Sequence, residues 1–327
     1  MTGFRFWRTR EFGTALVLAA MLIACEIAKR VNTHDSFLLS DELPQLFKDA
    51  SFVGIAAIGA CMVIISGGVD LSSGSVMSLA AVTFGYLLQI LGWPGPVALF
   101  LGILAGGIIG VLNGLLVGKL ALPPFIATLG FLSIARGISY WVTGGPVIPL
   151  NWRGDNSSGL FALLADYTPW VMLALGAATA ALLARFSWGR YVYAVGGNEE
   201  AARFSGLRVD WIKVGIYAAA GFFSGFAGSA MALRYGTAYV AIANGYELRI
   251  IAACAIGGIS FSGGHGSVAG ALLGAVTLQV LEILLIQLRV KAEYIDIAYG
   301  SAIILAVAID LLRTGGGLRR WFGRKTT

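Results

Sequence analysis

The sequence is poor in charge. Only 12% of its 327 residues are Asp, Glu, Lys or Arg, roughly half the share of an ordinary soluble domain. It has two histidines, His34 and His265, which leave too few ligands for a histidine-based metal centre. No metal ligands are assigned. Its three cysteines, Cys25, Cys61 and Cys254, all sit inside apolar runs. An odd count without paired spacing argues against a disulfide framework, and the three read as buried free thiols. No phosphate-binding loop is found. The nearest match, NGLLVGKL from Asn113 to Leu120, lacks the first glycine and the closing Ser or Thr. Any use of ATP and Mg therefore falls to a partner, and no cofactor is assigned to this chain. Positive charge is spread among loops, so nucleic acid binding has no support.

What the chain has in excess is apolar length. It is 57% hydrophobic with 45 glycines, and its mean hydropathy is +0.81. Runs of roughly 20 apolar residues, enough to cross a bilayer as a helix, recur from end to end. The glycines suit close approach of membrane helices. The class implied is an all-α polytopic membrane protein, one transmembrane domain over residues 1–327. Expected spans are 12–28, 48–66, 72–91, 96–117, 123–142, 168–184, 214–233, 248–260, 267–288 and 294–312, about ten, with ends good to a few residues.

Arg5, Arg8 and Arg10 precede the first run, as they would in a secretory signal, and Leu22-Ile23-Ala24-Cys25 has the form of a lipoprotein cleavage box. Such a box arises easily by chance in an Ala- and Leu-rich helix. The run is read as an uncleaved first membrane helix. Basic residues then set the orientation. With both termini in the cytoplasm, fourteen fall inside: Arg5, Arg8, Arg10, Lys119, Arg185, Arg190, Arg203, Arg208, Lys213, Arg313, Arg319, Arg320, Arg324 and Lys325. Eight fall outside: Lys29, Arg30, Lys48, Arg153, Arg234, Arg249, Arg289 and Lys291.

Two stretches resemble each other. GIAAIGACMVIISGGVDLSSGSVMSLAAV (54–82) and IIAACAIGGISFSGGHGSVAGALLGAV (250–276) each read as an apolar run, a Ser- and Gly-rich break and a second apolar run. The pattern implies two related halves, about 48–184 and 214–312, joined by a charged segment over 185–213. In the first break, Ser66 and Asp70 stand at membrane depth. A carboxylate there must be partnered or hydrated. Asp70 either lines a route for solute or caps the helix that opens near Leu71 or Ser72. Asn113, Phe125, Thr128 and Arg136 complete the candidate pathway. Thr128, Leu132 and Arg136 share a helix face at i, i+4 and i+8. They are candidates to meet a polyhydroxylated solute, or to serve as polar contacts between helices. Glu282, Asp296 and Asp310 read as interfacial. His265 with Ser260 or Ser262 is a poor fit to an intramembrane protease, since nothing places that histidine against the serine.

The segment 185–213 carries eight charged side chains between nearly uncharged runs. It contains Glu200-Ala201-Ala202-Arg203-Phe204-Ser205-Gly206, an E-A-A-x-x-x-G pattern that resembles the coupling-loop motif of ABC importer permeases. The match extends further. GRYVYAVGGNEEAARFSGLRVDWIKVGIYAAAGFFSGFAG (189–228), SGGVDLSSGSVMSL (66–79), LNGLLVGKLALPPFIATLGFLSIARGISYWVTGG (112–145) and GYELRIIAACAIGGISFSGGHGSVAGALLGA (245–275) closely resemble permeases of the ribose-, xylose- and arabinose-type sugar importers. The resemblance runs in order from about Gly54 to Leu312. Two positions depart from the family pattern: Arg249, where an acidic residue is usual, and His265, where Lys or Arg is frequent.

The resemblance implies a bacterial inner-membrane subunit that translocates a monosaccharide or polyol. It implies a cytoplasmic ABC ATPase subunit, a periplasmic solute-binding protein and a second permease copy or paralogue as partners, all within the lipid bilayer. Coupling to the ATPase would fall to Glu199, Glu200, Ala201, Ala202, Arg203, Phe204, Gly206, Leu207 and Arg208, with Phe204 and Leu207 as anchors in the partner and Gly206 ending the helix. The alternative is a secondary transporter, which would have little need for such a loop.

Overall fold

The computed structural model describes residues 10–152 and 158–313. Arg5, Arg8, Arg153, Arg319, Arg320, Arg324 and Lys325 lie outside the described residues, as do the side chains of Arg10, Asp296, Asp310 and Arg313. The chain is built from α1 (Arg10–Thr33), α2 (Glu42–Ile65), α3 (Ser73–Gly85, continued by a π-helical turn at Tyr86–Ile90), α4 (Gly95–Gly118) and α5 (Pro124–Thr143). After a two-residue strand β1 (Ile148–Pro149) come α6 (Ser158–Asp166), α7 (Thr168–Arg185), α8 (Ser187–Gly197), α9 (Glu199–Phe204) and α10 (Val209–Tyr235). Strand β2 (Thr237–Ala238), α11 (Tyr246–Ile256), α12 (Val268–Gln287) and α13 (Ala292–Arg313) follow. β1 and β2 pair antiparallel, Ile148 opposite Ala238.

Among the described residues, eight helices are long and apolar enough to cross a membrane: α1 to α5, α7, α10 and α12, with α3 counted together with its π turn. Proline at the first turn starts α4, α5 and α7, where its missing N–H costs nothing. The expected span over 248–260 is corrected. α11 has 11 residues, a length of about 17 Å against the roughly 30 Å of a bilayer core. Gly257 and Gly258 end it, Gly258 with φ +79°. The rest of that passage is non-helical chain buried against other helices, which a membrane tolerates only where protein surrounds it.

α2 and α10 are the most deeply buried spans, and α1, α5 and α7 form the rim. α10 lies along α4 through a seam of glycines. Gly106, Gly110, Gly114 and Gly118 recur every fourth residue on α4. A Cβ at Gly110 would sit 2.3 Å from the Tyr217 carbonyl oxygen, and one at Gly106 would sit 2.6 Å from that of Gly221. With lipid on the outside there is no hydrophobic gain from pairing, so close backbone contact holds such helices together.

Contacts sort the helix ends into two poles. At one, Lys29 of α1 and Gln287 of α12 reach Glu42 at the start of α2, and Arg234 at the end of α10 reaches Gln45. At the other, Ile65, Lys119, α8, α9, the start of α10 and the break before α12 come together. Apart from Arg136 within α5, the basic residues with described side chains separate accordingly. Lys119, Arg185, Arg190, Arg203, Arg208 and Lys213 gather at the second pole, and Lys29, Arg30, Lys48, Arg234, Arg249, Arg289 and Lys291 at the first.

Candidate functional site

The charge-rich pole is organised around α9. Asn198 caps it: its side chain accepts the Ala201 N–H at 2.9 Å, the bond that a helix start needs. Its end is closed by two bonds. The Gly206 N–H donates to the Arg203 carbonyl at 2.9 Å and the Leu207 N–H to that of Ala202 at 3.2 Å. That pair is a Schellman close, and it puts Gly206 at φ +84°, where a side chain would be strained. A six-residue helix is too short to hold itself; two caps and three ion pairs hold this one. Lys213 reaches Glu199 at 2.7 Å, Arg203 reaches Glu199 at 3.3 Å, and Arg203 reaches Asp210 at 2.6 Å. Burial works against the Glu199 charge, but bonds and charge from Lys213 and Arg203 outweigh it and hold this carboxyl below its usual range.

The side chains of this segment divide into two sets. Glu200, Ala201, Arg203, Arg208 and Phe204 point to solvent, Phe204 with 85% of its surface exposed. Ala202 is buried, and Leu207 packs on the main core. Ala202 and Leu207 thus fix α9 to its own chain, and Glu199 pairs with Lys213. Beside α9 lies a cleft of about 410 Å³ lined by Trp188, Tyr191, Gly206, Leu207, Arg208, Trp211 and Ile212. Lys119 stands over the Trp211 ring, 4.3 Å from its centroid.

Deeper in the protein from this pole, the first break forms a polar node. One oxygen of Asp70 accepts the Ser72 N–H at 2.8 Å and the Ser72 hydroxyl at 2.6 Å, and the other accepts the Ser73 hydroxyl at 3.2 Å. The Asn113 side-chain amide donates to the Ser72 oxygen at 2.9 Å. All four residues are buried. The Asn113 side-chain oxygen Oδ1, also buried, has no hydrogen-bond partner among the described residues.

The family of the branched-chain amino acid transport system / permease component matches residues 44–308. The chain belongs to this family of ABC importer permeases. The autoinducer 2 import system permease protein LsrC of Salmonella paratyphi B is 33% identical over 298 residues, 89% of this chain and 84% of that protein. Its counterparts in Yersinia enterocolitica and Yersinia pestis are each 32% identical, over 94% of this chain and 84% and 86% of theirs. The resemblance to sugar-type permeases read from the motifs stands with these matches. This permease is a multi-pass protein of the inner membrane. Permeases of this family work with an ATPase and a solute-binding subunit.

Of the six pathway candidates, the permease brings Asp70 and Asn113 together through Ser72. Ser66 is buried nearby, its hydroxyl bonded to the Val63 carbonyl at 2.8 Å. Among the described residues, the hydrogen bonds of the α5 candidates Thr128 and Arg136 go elsewhere. Thr128 is buried and donates to the Pro124 carbonyl at 2.9 Å, so its hydroxyl proton is used within its own helix and its oxygen can still accept. Phe125 is 57% exposed on the rim. Arg136 donates to the Asn244 side chain at 3.1 Å. Thr128 and Arg136 thus bond different partners, one within α5 and one at Asn244. Sequence reasoning missed Ser72 as the hub of the node and Asn244 as the partner of Arg136. A run of serines after Asp70 was the only signal for the first, and the second joins positions 108 residues apart.

The two departures from the family pattern also find partners. Arg249 pairs with Glu282 at 3.3 Å and lies over the rings of Tyr246 and Tyr299. The cation at 249 is thus matched by an anion on α12. His265 belongs to the second break, where its carbonyl accepts the Ser260 N–H at 3.0 Å.

Proposed function

We propose that this permease translocates a monosaccharide, a polyol or a comparably small, sugar-like solute into the bacterial cytoplasm. The work is done by ATP and Mg on a separate ABC ATPase, as membership of a family of ABC importer permeases supports. A periplasmic binding protein delivers the solute, and a second permease copy or paralogue completes the route. The described basic residues gathered around α9 favour placing that pole in the cytoplasm.

The observation that carries this reading is α9. It is a short helix held at both ends and by ion pairs, yet it presents Phe204 almost fully to solvent. An exposed aromatic on a rigid polar helix costs solubility unless something covers it. An aromatic anchor ringed by charge is what a protein–protein contact uses. Asp70, Asn113 and Ser72 supply carboxylate, amide and hydroxyl groups suited to a polyhydroxylated solute. The matches to autoinducer 2 permeases support a small oxygen-rich cargo, while the family description also covers amino-acid systems.

Two variants test the docking role. Glu200→Arg reverses the charge on the exposed face, and Gly206→Val forces a branched side chain into a left-handed turn. Both leave every apolar span intact, so membrane levels should stay near wild type. ATPase recovered with the permease and solute uptake should both fall. Wild-type recovery and uptake in both variants would make this segment an ordinary solvated loop.

A further inference from the structure

Three stretches distant in sequence close on one point at the charge-rich pole. α2 ends at Ile65, and its carbonyl, among those a helix cannot satisfy itself, accepts the Gly264 N–H of the second break at 2.8 Å. Gly196, in the last turn of α8, lies against this pair. A Cβ there would fall 1.7 Å from the Ile65 oxygen and 2.7 Å from the Gly264 nitrogen. On the far side, a Cβ at Gly263, which holds φ +80°, would fall 2.5 Å from the Gly196 carbonyl oxygen. One turn back on α8, the Tyr193 hydroxyl donates to the Gly266 carbonyl at 2.9 Å. Two residues beyond Gly196, Asn198 caps α9.

The contact is backbone against backbone on all three sides. Side chains absorb small shifts by changing rotamer, whereas packed main chain moves as a body. The joint also falls where both glycine-rich breaks begin or end. The Ile65 side leads into the Asp70 node, and the Gly264 side leads through His265 into α12.

We infer that Gly196 is a positioning residue that transmits displacement of α9 to both breaks at once. This rests on α9 being the ATPase docking helix. Force from the ATPase reaches α9 and passes through Gly196 to Ile65 and Gly264, so both halves of the membrane domain respond together. Gly197, its immediate neighbour, also lies against Gly264 through its main chain, but it has open space where its own Cβ would be, so an alanine there leaves the joint intact.

The test uses the assembled transporter with its ATPase and binding protein, comparing Gly196→Ala with Gly197→Ala. ATPase recovery should match wild type in both. Stimulation of ATP hydrolysis by the binding protein should fall at least about five-fold in Gly196→Ala, the low end of a typical coupling energy, and stay at wild type in Gly197→Ala. If Gly196→Ala fails to reach the membrane, Tyr193→Phe carries the test. It deletes one hydroxyl and should lower stimulation at unchanged ATPase recovery. Wild-type stimulation in the variant that carries the test, equal loss in Gly197→Ala, or loss of ATPase recovery from that variant would each overturn the inference. Failure of the docking reading is a separate outcome: the α9 variants Glu200→Arg and Gly206→Val would keep the ATPase and uptake.

Discussion

Truncating Phe204 to alanine isolates the docking contact from the fold. The side chain is 85% exposed in the free permease, so removing it takes almost nothing from the chain's own packing. Its value lies in what a partner would cover. Full burial of a phenylalanine stabilises by about 1.5–3 kcal/mol. Scaling by the exposed fraction leaves about 1.3–2.5 kcal/mol for the complex. That corresponds to roughly 10- to 60-fold weaker association. The assay is equilibrium binding of the purified ATPase to the permease in nanodiscs, with thermal unfolding of the permease alone as control. Phe204→Ala should weaken binding by that factor and leave the unfolding midpoint unchanged. Unchanged affinity would refute the reasoning, because no other exposed side chain on α9 has comparable apolar area. A lowered midpoint would place Phe204 in the fold.

Asp70→Ala strands the Ser72 N–H and two buried hydroxyls, at about 1–3 kcal/mol for each unsatisfied group. Uptake should fall, and Asp70→Ser should restore it if Asp70 serves as a cap. Failure of both, with normal membrane levels, would assign the carboxylate to the route, and full transport by the alanine variant would exclude either role. At the glycine seam, Gly110→Ala should destabilise by about 1–3 kcal/mol through overpacking. Gly107→Ala, with nothing near its Cβ, should not, and equal thermal stability of the pair would count against the seam. Single cysteines at Asn198 and Leu39, in a background where Cys25, Cys61 and Cys254 are replaced, should react with impermeant maleimide from the cytoplasm and the periplasm respectively. The reverse pattern would invert the orientation.

The features legible in the sequence are those with local causes. Apolar runs marked the spans because a bilayer demands them, and the run from Glu200 to Gly206 marked a short helix closed by a glycine, although Asn198 was not read as its opening cap. The inward turn of Ala202 and Leu207 was not legible, since six residues give too little periodicity to show a buried face. α11 was read as too long because an apolar run through Gly257 and Gly258 looks the same whether or not the helix continues. The abundance of glycine suited close helix packing without showing that Gly106, Gly110, Gly114 and Gly118 form a seam or that α10 fills it. The contact of Ile65, Gly196 and Gly264 joins three segments that share only an abundance of glycine, so only the folded chain reveals it. The local bond of Thr128 was not legible either: in a helix a threonine hydroxyl can donate to the preceding turn, and the sequence does not say when it does.

The central claim is that this permease moves a small sugar-like solute at the expense of ATP on a partner. Reconstitution tests it most directly. Permease, ATPase and binding protein are placed in sealed vesicles with the α9 pole inside. Uptake is then followed for labelled ribose, xylose, arabinose, ribitol and autoinducer 2. Uptake of at least one of these should require ATP in the lumen and persist when ionophores abolish all ion gradients. Uptake that proceeds without ATP and stops with the ionophore would contradict the account and make the protein a secondary transporter.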